Sequence, residues 1–202
     1  TTKTKQLIDN LKSVCANYGL GNDGNEFKII SQVFLYKFLN DKFHYEVKKQ
    51  QQKLGKDADP ELLMDLLDEN VPQLRKDQLI SHLHNIQNSG DFAKTFDDTL
   101  RDIGTQNAGI FSIKSYLGAK DKLFDELSQF ISDVSQRDAF CKALINKLFE
   151  FSFEESFEDY FEEKYDFFKD IFEYLIKDYN SDSGGKYAEY YTPNALGRII
   201  AK

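Results

Sequence analysis

The chain has 202 residues, 41% hydrophobic and 30% charged, with a formal net charge of −8, which is enough length for one domain with a proper core plus an appendage. Two cysteines, Cys15 and Cys141, exclude a disulfide-stapled scaffold, and no apolar run reaches the ~18 residues that suggest a membrane-spanning helix. With no secretory leader visible, the expectation is a soluble cytoplasmic protein with two free thiols and no membrane partner. The charge is polarised along the chain: residues 1–56 hold ten lysines against five acids, and residues 150–178 hold eleven acids against three lysines. That asymmetry bears on partners more than the total does.

The hydrophobic periodicity is helical almost throughout, and it predicts an all-α, bundle-like domain with a core rich in phenylalanine, of which there are 18. Residues 4–18 place Leu7, Ile8, Leu11, Val14 and Cys15 on one helical face, and Gly19 with Gly21 stops the helix. A second stripe follows at Phe27, Ile30, Val33 or Phe34, Phe38 and Tyr45. Residues 48–59 are polar and read as either a frayed helix end or a mobile loop. Asp59 followed by Pro60 restarts a helix, with Leu62, Leu63, Leu66 and Leu67 facing inward.

Leu79, Ile80, Leu83 and Ile86 predict another helix, and Phe92, Phe96 and Leu100 a short one after Gly90. Residues 104–118 break the periodicity and read as the longest irregular connection. Helices are expected again from about Asp121, with Leu123, Phe124, Leu127, Phe130 and Ile131, and from Gln136, with Phe140, Leu144, Ile145 and Leu148. Phe153, Phe157, Phe161, Tyr165, Phe168, Phe172 and Leu175 then recur at spacings of three and four, the mark of a long amphipathic helix whose acids form a solvated face. Residues 180–185, with two glycines and no packing group, read as a linker between a helical domain at 1–179 and a further element at 186–202. In that element Thr192 and Pro193 form a cap-then-proline start, and Leu196, Ile199 and Ile200 supply an apolar stripe of barely two turns. So short a stripe leads us to expect an amino-terminal fragment of a longer protein.

Few residues suggest chemistry directly. Gly19, Gly21 and Gly24 match G-x-G-x-x-G by letter, but a helix precedes them where the phosphate-binding fingerprint needs a strand, so they read as a helix stop. His82 and His84 sit two apart, about 200° around a helix, and His44 has no spaced partner, so no metal site is expected. Cys15 and Cys141 read as small hydrophobes. Lys48, Lys49, Lys53 and Lys56 are candidates for contact with DNA phosphates, without the arginine or aromatic pattern that reads bases.

Two longer stretches carry a resemblance. Asp170-Ile-Phe-Glu-Tyr-Leu-Ile, the linker, and Ala188-Glu-Tyr-Tyr-Thr-Pro are similar to Tyr-Glu-Tyr-Leu-Leu followed by Gly-Glu-Phe-Tyr-Thr-Pro in the modification (M) subunits of type I restriction-modification systems. The run from Asn25 to Phe43 resembles the first conserved helix of the same family, in the same order along the chain. Ala188 departs from the family's usual glycine. The resemblance implies an adenine-N6 DNA methyltransferase that uses S-adenosylmethionine, with residues 1–179 as its helical amino-terminal domain and residues 186–202 as the first element of its catalytic domain. It further implies that Glu189, Tyr190, Tyr191, Thr192, Pro193 and Asn194 belong to the cofactor pocket, where a helix start suits the cofactor's carboxylate. Implied partners are a specificity subunit, a second M subunit, a restriction subunit and double-stranded DNA.

No catalytic residue is assigned. The family's Gly-rich cofactor turn and its Asn/Asp-Pro-Pro-Tyr/Phe loop do not occur here, and the three prolines, Pro60, Pro72 and Pro193, are never adjacent. The chain by itself is therefore expected to be inactive, and the resemblance implies that it serves subunit assembly and DNA enclosure. Two alternatives remain at this level: a free-standing helical protein-protein interaction module, and a methyltransferase fused to cleavage and recognition domains in one chain.

Overall fold

A computed structural model describes residues 2–21, 24–55, 60–69, 71–108 and 122–153. Every regular element among them is helical: α1 (Thr2–Asn17), α2 (Gly24–Leu54), α3 (Pro60–Asp65), α4 (Ile80–Ile86), α5 (Phe92–Gln106) and α6 (Arg137–Phe149), with 3-10 turns at Lys76–Gln78, Leu127–Phe130 and Val134–Gln136. The all-α expectation holds for these residues.

Helix α1 buries the five predicted residues and ends as its glycine dictates. Gly19 adopts φ +80, its amide donates to the Ala16 carbonyl at 3.1 Å, and the Leu20 amide donates to the Cys15 carbonyl at 2.9 Å. This is a Schellman stop, with the following Leu20 buried as its apolar plug. The phosphate-loop spelling thus opens on a helix terminus at Gly19 and closes on Gly24, the first residue of α2, with residues 22 and 23 outside the described residues.

Helix α2 is the axis of the domain. Between Glu26 and Phe43 only Lys28, Gln32 and Phe38 escape full burial, so the helix is enclosed around its circumference rather than along one stripe. Of the predicted stripe, Phe27, Ile30, Val33 and Phe34 are buried and Phe38 and Tyr45 half-buried, and the prediction missed Ile29, Leu35, Tyr36, Leu39 and Phe43, all buried. The segment preceding α6 crosses it: Gln32 and Asp125 exchange two hydrogen bonds at 2.8 and 2.7 Å, and the Lys28 ammonium lies 6.0 Å from the centre of the Phe130 ring. Beyond the core the helix continues through the polar run to Leu54, and Gly55, at φ +102, closes it by donating to the Gln51 carbonyl at 2.9 Å. For residues 48–54 the loop alternative is therefore excluded.

Helix α6 packs against α1, α4 and α5 together. It buries the predicted Phe140, Leu144, Ile145 and Leu148, plus Cys141, and the Phe140 ring meets Tyr18 edge-on at 5.3 Å. Three other expectations are corrected. Helix α5 is not short and runs through the start of the supposed irregular stretch, to Gln106. Residues 122–126 are not α-helical, and only a 3-10 turn follows at Leu127–Phe130, although Phe124, Leu127 and Ile131 are buried as expected. In α3, Leu63 is buried, but Leu66 and Leu67 both lie beyond the helix end, the first exposed and the second half-buried. Asp59, the Leu62 side chain, residues 109–121, the stripe from Phe157 to Leu175 and the linker at 180–185 lie outside the described residues.

Because α6 joins three helices, truncating Leu144 to Ala should cost about 2–5 kcal/mol. A urea titration of the full chain checks this as a lowered midpoint at unchanged slope.

Candidate functional site

The predicted cofactor segment, Glu189, Tyr190, Tyr191, Thr192, Pro193 and Asn194, lies outside the described residues, as does Lys56. Lys48, Lys49 and Lys53 are described and sit together on the last two turns of α2, all exposed. At 100° per residue they span about 140° of the helix surface over roughly 7.5 Å of its length, one cationic end rather than a continuous stripe. Their position also complements the partial negative charge at the helix carboxy terminus. One turn earlier, Lys42 pairs with Glu46 and lies 5.7 Å from the centre of the Tyr45 ring, so its charge is engaged locally.

The remaining chemistry-bearing side chains are structural. Burial, with Glu26 nearby, pushes the Cys15 thiol up to about 12, and burial with Asp97 and Asp138 raises Cys141, so neither is a thiolate nucleophile at neutral pH. Among the described residues no group of His, Cys, Asp or Glu is arranged to hold a metal. The His84 ring stacks on Phe149 at 3.9 Å and 11°, a packing role.

Sequence reasoning missed the polar cluster inside α2. Lys37 and Asp41 form an ion pair at 2.9 Å, with side chains 4% and 6% exposed. Asn40 donates to Asp41 Oδ1 at 2.8 Å, and its own oxygen accepts the Ile80 amide, the first of α4, at 3.0 Å. The second Asp41 oxygen accepts the Phe153 amide at 2.9 Å, and the Phe153 ring, 1% exposed, packs against Phe34 at 5.3 Å. One turn earlier the Tyr36 hydroxyl donates to the Gln78 carbonyl at 2.6 Å, with burial raising its pKa. The visible signal was three polar residues, with Lys and Asp four apart, in an otherwise apolar run.

A second buried carboxylate belongs to α5. Asp97 accepts from the Ser128 amide at 3.1 Å and the Ser128 hydroxyl at 2.6 Å, capping the 3-10 turn from outside it.

With this geometry in place, comparison with known proteins adds one result. The family model described as N-6 DNA methylase matches residues 163–202, a range that includes all six predicted cofactor residues and begins shortly after Phe153. No curated protein and no solved structure matches the chain. The match relates the carboxy-terminal part of the chain to DNA N6-methyltransferases, enzymes that use S-adenosylmethionine. The helical body at residues 2–153 lies ahead of it.

Burial outweighs the Ser128 hydrogen bonds at Asp97 and raises its pKa. The folded state therefore binds this proton more tightly than the unfolded chain does, and the stabilisation is complete below the unfolded value of about 4 and lost as pH rises through the raised folded value. The stability of the wild type relative to Asp97→Asn should accordingly decrease from pH 4 to pH 7 in thermal unfolding. An advantage that grows with pH would mean the hydrogen bonds dominate.

Proposed function

We propose that the chain belongs to the modification subunit of a type I restriction-modification system, an adenine-N6 DNA methyltransferase using S-adenosylmethionine. In this reading residues 1–179 are its helical amino-terminal domain, and residues 186–202 are the first element of its methyltransferase domain. The observation that carries the reading is the N-6 DNA methylase match at residues 163–202. The run from Asn25 to Phe43 supports it, because the stretch that resembles the family's first conserved helix forms the enclosed axis of the body.

In such an enzyme the helical body supplies shape and charge while the methyltransferase domain supplies the reaction. Glu189, Tyr190, Tyr191, Thr192, Pro193 and Asn194 would belong to the cofactor pocket. The exposed end of α2, with Lys48, Lys49 and Lys53, would meet DNA phosphates without reading sequence, and Lys56 extends that group in the sequence. The specificity subunit, a second modification subunit and the restriction subunit would complete the assembly.

The full-length gene product, purified with its specificity subunit, should transfer tritium from methyl-labelled S-adenosylmethionine to duplex DNA and yield N6-methyladenine on digestion. Labelled cytosine, or no label with every candidate specificity subunit encoded beside it, rejects the assignment. Replacing Lys48, Lys49 and Lys53 together by Gln should reduce the slope of log affinity against log salt by about 0.9 for each lysine that meets a phosphate. An unchanged slope removes these lysines from the DNA interface while leaving the enzyme assignment intact.

A further inference from the structure

Helix α2 changes character after Glu46, its last acid: the residues that follow are three lysines, three glutamines, Val47 and Leu54. Its earlier lysines are engaged, Lys28 over the Phe130 ring, Lys37 with Asp41 and Lys42 with Glu46. Lys49 and Lys53 form no ion pair among the described residues. The three glutamines are not equivalent. Gln50 and Gln51 are half-buried, whereas Gln52 is exposed. On an α-helix Gln52 falls about 40° and 6 Å from Lys48, and about 60° and 4.5 Å from Lys49, the four- and three-residue neighbours that share a helix face. Its side-chain amide therefore lies inside the arc that the lysines mark out, and it makes no hydrogen bond among the described residues.

A polyanion that meets these lysines comes from the side of α2. End-on approach is disfavoured, because the carboxy terminus of a helix carries partial negative charge. Lysines attract a phosphate as point charges and leave its orientation free. A planar amide between two of them adds N–H donors of fixed direction.

We propose that Gln52 is a DNA-contacting residue, donating from its side-chain amide to a backbone phosphate held by Lys48 and Lys49. This rests on the function proposed above. The contact is to phosphate rather than to a base edge, because the cations on either side place a phosphate there. It carries no sequence information and orients the strand along the side of α2.

Because Gln52 is neutral, its contribution separates from that of its neighbours. Replacing a phosphate-contacting lysine lowers affinity and flattens the salt dependence together, whereas removing a neutral donor lowers affinity and leaves counterion release as it was. In the full-length enzyme with its specificity subunit, Gln52→Ala should weaken binding to duplex DNA roughly three- to tenfold at every salt concentration, with the slope of log affinity against log salt unchanged. Gln6→Ala, at an exposed glutamine of α1, should leave affinity within about twofold. Alanine is the better helix former and the position is exposed, so folding is not at stake, and an unchanged urea midpoint checks this.

Wild-type affinity in Gln52→Ala overturns the proposal, as does an equal loss in Gln6→Ala. A loss that varies with DNA sequence overturns it too, since that marks a base contact, and a changed slope marks displaced lysines in place of a lost donor. If replacing Lys48, Lys49 and Lys53 leaves the slope unchanged, the DNA face itself fails and the proposal with it. If that slope falls while Gln52→Ala binds normally, only the role of Gln52 is lost.

Discussion

The enclosure of α2 is the constraint on which the rest of the structure depends. A helix covered on all sides must satisfy inside the protein any polar side chain it carries, because no water is at hand to do so. Lys37, Asn40 and Asp41 meet that requirement with one another and with two distant backbone amides, those of Ile80 and Phe153, whereas the buried Ser31 hydroxyl of the same helix has no hydrogen-bond partner among the described residues. Solvation demand at the centre is thus converted into placement of the periphery. Lys37 precedes Asp41 by four residues, the less favourable orientation for a helical ion pair, so the extra hydrogen bonds are what make the arrangement stable. The cluster is surrounded by aromatic contacts, Phe34 on Phe153 and Tyr36 edge-on to Phe96 at 6.5 Å, which lower the local dielectric and strengthen each bond within it.

The same solution recurs around the domain, with side chains from distant elements satisfying backbone groups at the ends of others. Asp138, in the first turn of α6, accepts the Ala93 amide of α5 at 2.8 Å, and α5 in turn supplies Asp97 to the 3-10 turn at Leu127–Phe130. Asn107, at the end of α5, uses its amide like a short piece of strand: its oxygen accepts from the Gln73 amide at 2.8 Å and its nitrogen donates to the Gln73 carbonyl at 2.9 Å. Helix α4, only 7 residues long, is too short to persist by itself and begins where Asn40 receives its first amide. Elements stabilised in this way form together or not at all, since each helix end is completed by a residue that another helix must first position.

That mutual dependence explains what could be read from the sequence. Helices α1, α4 and α6 were legible because each buries one face against a common centre, so the period of 3.6 survives in the sequence. Helix α2 was legible as a helix but not as an enclosed one, since Lys37, Asn40 and Asp41 look like a solvent-facing set until their partners are known. The polar run from Lys48 to Lys53 stays helical because Lys and Gln are good helix formers, which its lack of apolar residues concealed. Around residue 124 the apolar spacing suited a helix, but Gln32 and Asp97 claim the amides of Asp125 and Ser128, and tertiary bonds override local preference. As for the candidate site, exposure of Lys48, Lys49 and Lys53 followed directly from their polar context, whereas the spacing of Lys37 and Asp41 hinted at a pair without disclosing the bond from Asp41 to Phe153, 112 residues away.

A functional consequence of the architecture concerns α2 as a rod. Asp41, which holds the Phe153 amide, and Lys48, which begins the exposed cationic end, lie on one continuous helix about 10 Å apart along its axis. No proline or interior glycine interrupts the helix between them, and the causes of sharp kinks are absent from that stretch. On the reading proposed here, a DNA phosphate at the lysines and the buried cluster around Asp41 are therefore fixed relative to one another by backbone hydrogen bonds rather than by a hinge.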